Sequence, residues 1–192
     1  MNKITYLLLL SILLHVKPGY AQFKKMDTTV TIGNTGYRVR CSNSKKDANE
    51  VNVKLIGFEK EARGMNIILN GQLDIAMIDD FNGDGYPDLL VTAYTGPNFQ
   101  YGTAYAFASK ENKSLLLFAS KDIMLDGKLK PGYRGHDKFS LFEGTVIQKF
   151  PIYNQEDPDD KPSGGTRVIQ YQMALSENGR GYFKMLRTYD QK

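Results

Sequence analysis

Alternation constrains this chain more than any other feature. In Tyr37-Arg38-Val39-Arg40-Cys41, apolar side chains fall on one side of an extended backbone and arginines on the other. Val51, Val53 and Leu55 alternate with Asn52 and Lys54 in the same way. Such a period of two belongs to a half-buried strand. Later stretches repeat the theme. Tyr101, Thr103, Tyr105 and Phe107 share one side, with Gly102, Ala104 and Ala106 on the other. Ile169, Tyr171, Met173 and Leu175 oppose Gln170 and Gln172. Asp27 to Ile32, Leu73 to Ile78, Leu89 to Tyr94, Ser114 to Ala119 and Tyr182 to Tyr189 also have strand length and composition. Phe139 to Phe150 holds one or two strands with a bend at Gly144. Breakers fall between them: Gly33-Asn34, Gly96-Pro97, Lys130-Pro131-Gly132, Pro158 to Pro162 and Asn178-Gly179. Glu59 to Leu69 is the one place for a helical turn, and Gly64 and Asn66 oppose it there. About eight to ten short strands with turn punctuation predict an all-β domain, an antiparallel β-sandwich or a small propeller-like domain. A repeat of propeller-blade length is not visible, which argues against a complete β-propeller.

The first residues have a different character. Met1 to Lys3 form a short positive start, and Ile4 to Val16 an apolar run. Lys17, Pro18 and Gly19 end it, and Gly19 and Ala21 place small residues before a cut at Gln22. This is the pattern of a secretory signal peptide over residues 1–21. The run is shorter than the ~20 residues a membrane span requires. The expected organisation is therefore a removed leader and a single β domain over residues 22–192, exported to a periplasm or secreted. The chain has 192 residues, 41% hydrophobic and 11% aromatic, enough to form a core and too aromatic for disorder. Its formal charge is +4, and Lys3 and Lys17 lie in the leader. The balance that is left is no footprint for nucleic acid. A single cysteine, Cys41, excludes an intramolecular disulfide framework, and burial is its expected state.

One segment carries definite chemistry. Asp80-Phe81-Asn82-Gly83-Asp84-Gly85-Tyr86-Pro87-Asp88 sets oxygen-bearing side chains at loop positions 1, 3, 5 and 9, with glycine at position 6. Tyr86, at position 7, offers its backbone carbonyl. Hard oxygens at this spacing suit Ca²⁺, which takes about 6–8 of them. Position 12 of an EF-hand would be Glu, and here it is Val91, inside an apolar run. The loop is thus expected between two strands, with a structural ion held by Asp80, Asn82, Asp84, Tyr86 and Asp88. The competing reading is an ordinary Asx-rich turn.

The stretch Asp79-Asp80-Phe81-Asn82-Gly83-Asp84-Gly85-Tyr86-Pro87-Asp88-Leu89-Leu90-Val91 resembles the calcium loop of FG-GAP or VCBS repeats. A propeller built of such repeats would carry the loop several times, and this chain has it once. A single loop in a small exported β-protein resembles the periplasmic inhibitors of invertebrate-type lysozymes and related immunity proteins against lysozyme-like effectors. The stretch from Val146 to Met173 is similar to that group as well. The resemblance implies a protein partner, a lysozyme-like peptidoglycan hydrolase, and inhibition by a loop inserted in its cleft.

The residues offer such a loop. Ser163, Gly164, Gly165, Thr166 and Arg167 form a narrow segment between Pro162 and a strand. Ser163 and Thr166 supply hydroxyls, and Arg167 suits a bidentate pair with a catalytic carboxylate. The opposing reading is a hairpin tip with Arg167 in solvent. Lys130 to His136 is a second glycine-rich basic loop. Enzyme signatures are missing: the chain has no Gly-x-Ser-x-Gly elbow, no phosphate loop and no zinc-type histidine spacing, and His136 is the only histidine after the leader. The alternative function is an FG-GAP-like adhesion or glycan-binding module, for which Tyr94, Phe99, Tyr101 and Tyr105 would form an exposed aromatic edge.

Overall fold

The computed structural model describes residues 23–192, so the expected leader lies outside the described residues. Twelve strands and one short helical turn make up the described chain. The first four strands are β1 (Met26–Ile32), β2 (Thr35–Cys41), β3 (Asn49–Ile56) and β4 (Met65–Leu69). The next four are β5 (Gln72–Asp79), β6 (Asp88–Thr95), β7 (Tyr101–Lys110) and β8 (Ser114–Ala119). A 3-10 turn at Ile123–Leu125 leads to β9 (Lys138–Phe142), β10 (Thr145–Pro151), β11 (Thr166–Leu175) and β12 (Gly181–Gln191). Each group of four forms its own antiparallel sheet in chain order. The protein is therefore all-β: three successive four-stranded meanders, each with the plan of a propeller blade.

The three sheets are layered, and the middle one has no free face. β6 is buried from Asp88 through Tyr94. Leu89, Val91 and Ala93 pack with Phe107 against Tyr37, Val39, Val51 and Val53 of the first sheet. Leu90 and Tyr94 pack with Ala104 and Ala106 against Val146, Phe150, Ile169, Tyr171 and Met173 of the third. Two hydrophobic cores thus share β6, which explains why its sequence is a continuous apolar run. The outer face of the first sheet is polar, and Asp27 pairs there with Arg38 at 2.8 Å.

Close approach of the middle and third sheets depends on Gly102. A Cβ there would lie 2.7 Å from Asp137 Cβ and from the Phe139 ring. Beside it sits a buried polar hub. The Asp137 carboxylate accepts from Gly102 N (2.8 Å), the Tyr133 hydroxyl (2.6 Å) and Gln148 Nε2 (2.7 Å). Burial pushes this carboxyl upward, and the three donors oppose the shift without cancelling it. Cys41 is buried, and its thiol donates to Asn43 Oδ1 at 3.1 Å.

Two open readings resolve and one expectation changes. Glu59 to Leu69 contains no helix; its end is β4, drawn into the ladder by pairing with β3 (Val51 opposite Ile67). Phe139 to Phe150 splits into two strands, because Glu143 and Gly144 both adopt positive φ (48° and 69°) and close a tight turn. Tyr101, assigned by alternation to the side of Phe107, instead packs toward the third sheet, with its ring 6.1 Å from Tyr133.

Candidate calcium loop and binding surfaces

The loop joining β5 to β6 is closed at its base by the pair Asp79–Asp88. Phe81 anchors it: the ring is buried in the core between the middle and third sheets. Gly83 and Gly85 adopt φ of +76° and +85°, and a Cβ at either would meet nothing within 4 Å, so backbone conformation and not space requires glycine there. The chain winds around the Asp80 carboxylate, which accepts from the amides of Gly83 (2.8 Å), Asp84 (3.0 Å) and Gly85 (2.8 Å). Asn82 Oδ1 accepts from the Asp84 amide at 2.9 Å. Asp84 accepts from the Tyr86 amide at 2.9 Å and from Asn82 Nδ2 at 3.0 Å.

Asp88 differs from the other loop carboxylates. It is fully buried, and its two oxygens accept from Phe81 N (3.1 Å) and Ser109 N (2.8 Å). Burial pushes its carboxyl up to about 7, with Asp84 and Asp80 adding to the rise. Among the described residues, no lysine or arginine forms an ion pair with Asp80, Asp84 or Asp88.

The donors are hard oxygens, as Ca²⁺ requires, but Asp80 Oδ1 already accepts from two amides, those of Gly83 and Asp84, while Asp80 Oδ2 accepts from one, that of Gly85. The oxygens of Asp80, Asn82 and Asp84 face the loop's own N–H groups, and those of Asp88 face Phe81 N and Ser109 N of β7. No group of three or more acidic, histidine or cysteine side chains among the described residues converges as a metal cluster. The chemistry of the set fits the ion.

The Ser163 to Arg167 segment is stitched to its surroundings. Ser163 donates from its amide and hydroxyl to Asp157 (2.8 and 2.6 Å) and accepts from Asn154 Nδ2 (2.8 Å). Gly164 N donates to Ile152 O, and Ile152 N to Gly165 O, both at 2.9 Å. Thr166 opens β11, opposite Pro151 and Gln191. Arg167 pairs with both oxygens of Asp190 (2.8 and 2.9 Å) and donates to the carbonyls of Leu129 (2.8 Å) and Pro131 (3.3 Å). Its side chain is 13% exposed. The five residues are together, as the sequence requires, but the guanidinium is already committed within the fold. Ser163 is the exposed member.

In the second basic loop, Tyr133 is buried. Arg134 lies over the Tyr153 ring at 4.7 Å and reaches Asp159 at 3.1 Å. The expected aromatic edge does not form as a unit. Tyr94 is buried and stacks on Phe23 at 5.5 Å, and Phe99 meets the Phe23 ring edge-on at 5.7 Å. Tyr101 and Tyr105 are half-buried, and Tyr105 donates to Asn70 O at 3.3 Å. Phe23 covers the rings of Tyr94 and Phe99 that such an edge would have exposed.

Two clefts flank Tyr101. One, of about 430 Å³, includes Asn70, Thr103, Ser120 and Asp122. The other, of about 380 Å³, includes Asn98, Gln100, Arg134, Asp159 and Asp160. The sequence pattern pointed only to Tyr101 and Arg134 of this set, because the lining comes from loops in different sheets.

No helix among the described residues is long and apolar enough to cross a membrane. No curated protein matches the chain. The FG-GAP repeat family does match, over residues 73–107, which run from β5 through the candidate calcium loop and β6 into β7.

Proposed function

We propose that this chain is an exported, non-catalytic binding module, in which a calcium-held loop steadies three stacked sheets whose turns meet a macromolecular partner. The observation that carries the reading is the FG-GAP repeat at residues 73–107. It covers the first strands of the central sheet, whose loop carries Asp80, Asn82, Asp84 and Asp88 with no basic ion-pair partner among the described residues. Three unneutralised carboxylates in one short loop repel, and a divalent cation relieves that repulsion. Cleavage before Gln22 would leave residues 22–192 as one domain outside the cytoplasm. The deciding experiment has two parts. Amino-terminal sequencing of protein from the exported fraction should begin at Gln22. Thermal unfolding with added Ca²⁺ should rise in midpoint and return on chelation. A protein retained in the cytoplasm, or an unfolding midpoint indifferent to Ca²⁺, would end the respective half of the proposal.

A narrower version makes the partner a lysozyme-like peptidoglycan hydrolase. It is supported by the sequence resemblance, and among the structural features by the firm seating of Ser163 through Asp157 and Asn154. In this version Ser163 and its neighbouring glycines make the contact, while Arg167 holds the segment in place. Mixing the protein with a panel of lysozymes and lytic effectors tests it; absence of both inhibition and complex formation would refute it.

A further inference from the structure

We propose that the double cleft around Tyr101 is a binding site for a neutral polysaccharide chain. The proposal deepens the binding-module reading by naming a ligand class and a place, and it rests on that reading.

Shape comes first. Two adjoining clefts of about 430 and 380 Å³ have Tyr101 as a common wall. Each is of the size that receives a small organic group, and together they suit a ligand of several linked units. An extended chain crossing Tyr101 would place one unit on each side.

The lining then selects the chemistry. Asn70, Asn98 and Gln100 bring three planar amides, and Thr103 and Tyr101 bring hydroxyls. Among the described residues, the side-chain amides of Asn70 and Asn98, Gln100 Nε2 and the Tyr101 hydroxyl have no hydrogen-bond partner; Gln100 Oε1 is occupied by the Asn98 backbone amide at 3.0 Å. Planar amides and carboxylates match the donor–acceptor pairs of neighbouring hydroxyls on a sugar ring. The half-buried Tyr101 ring supplies an apolar face with a polar tip, which suits the mixed surface of a sugar. Asp122, Asp159 and Asp160 outnumber the single cation Arg134, which is already held over Tyr153 and against Asp159. An anionic ligand is therefore disfavoured, nucleic acid included.

The rim is built rigidly. Phe99 and His136 are non-glycine residues with φ of +52° and +65°, and both sit beside this cleft. Strain of this kind persists where the surrounding structure over-determines it. Here Phe99 is fixed against Phe23, and His136 N donates to Gln100 O. Behind Tyr101, Tyr133 is locked by its bond to Asp137. The site is thus prearranged, which lowers the entropic cost of taking up a flexible chain.

The test uses the full chain in Ca²⁺-containing buffer. Its probes are neutral glucan, mannan, galactan and chitin oligosaccharides of about four to six units, the length that two adjoining clefts suit. A lysine-rich peptide serves as the cationic comparator. Calorimetry should show binding to one oligosaccharide class, weakened about tenfold or more by Tyr101→Ala and much less by Tyr101→Phe. Because Tyr101→Ala also removes packing against Tyr133, Asn98→Ala and Asp160→Asn are measured too; each should weaken binding with an unchanged unfolding midpoint. No oligosaccharide binding, binding untouched by all four variants, or preference for the peptide would overturn the proposal. A protein partner captured by a chain that ignores every sugar would leave the binding-module reading standing and this inference refuted.

Discussion

Ser109, on β7, donates its amide to the Asp88 carboxylate across 2.8 Å, while Phe81 N occupies the other oxygen at 3.1 Å. The last carboxylate of the loop is therefore also a buried brace between two strands and the loop's anchor residue. Asp88→Asn would turn an amide donor toward one of those two N–H groups and leave it unsatisfied. The expected cost is about 1–3 kcal/mol, a fall of roughly 2–12 °C in unfolding midpoint for a chain of this size. The fall should appear in chelator as well as in Ca²⁺. A variant that melts like the parent in chelator would show that the brace does not matter.

Asp84 offers the contrasting case. It is exposed, and its bonds to Tyr86 N and Asn82 Nδ2 are replaceable by water. Asp84→Ala should melt close to the parent when Ca²⁺ is chelated. With Ca²⁺ at about a hundred times its dissociation constant, the parent should gain about 2.7 kcal/mol that the variant lacks. Differential scanning calorimetry under both conditions reads this directly. An equal calcium response in both proteins would remove Asp84 from the ligand set.

Arg167 is expected to act as a structural tie. Arg167→Met removes a bidentate pair to Asp190 and leaves the Leu129 and Pro131 carbonyls without their donor. Charge-assisted bonds of this geometry support a loss of about 1–3 kcal/mol. Hydrogen exchange should quicken in β11, in β12 and in the loop after the 3-10 turn. If the variant were as stable as the parent and failed only in binding a partner, the segment would be a free contact loop after all.

The sequence foretold the strands better than their assembly. Alternation placed β2 and β3 because each has one face in a core and one more open to solvent, and it placed β11 although Val168 and Gln170 on its second face are buried as well. It missed β4, in the stretch Glu59 to Leu69 where a helical turn was the one candidate and Gly64 and Asn66 opposed it; the strand exists through its pairing with β3. The three-meander plan was not legible, since only the β5–β6 connection carries the aspartate-rich loop. The β1–β2 turn uses Gly33-Asn34 and the β9–β10 turn uses Glu143-Gly144, so the sheets repeat in space without repeating in sequence. Arg167 read as available for the same reason: its partner Asp190 lies on another strand, opposite it only once β11 and β12 are in register. The oxygen spacing of Asp80 to Asp88 was fully visible, but the occupation of those oxygens by the loop's own amides and by Ser109 N of β7 was not.

Asp137 gives the fold a pH dependence of known sign. Its carboxyl is raised above the ordinary value by burial, and the groups facing it are the Gly102 amide, the Tyr133 hydroxyl and Gln148, with no ion-pair partner among the described residues. Tyr94 and Tyr171 also feel its charge, and both phenols are themselves pushed up by burial, so neither ionises near neutrality. A carboxyl with a raised folded-state value binds its proton more tightly folded than unfolded. Its contribution is complete below the ordinary carboxylate value and is lost as pH rises through the raised one. In chelator, the parent should lose unfolding midpoint on going up through that window. Asp137→Asn can keep the hub, because its oxygen replaces the acceptor of Gly102 and Tyr133 while its amide donates to a flipped Gln148. The variant should therefore show a flatter midpoint-against-pH curve than the parent over the same window. A curve of unchanged slope would mean that Asp137 ionises alike in the folded and unfolded chain, and that its three donors offset the burial.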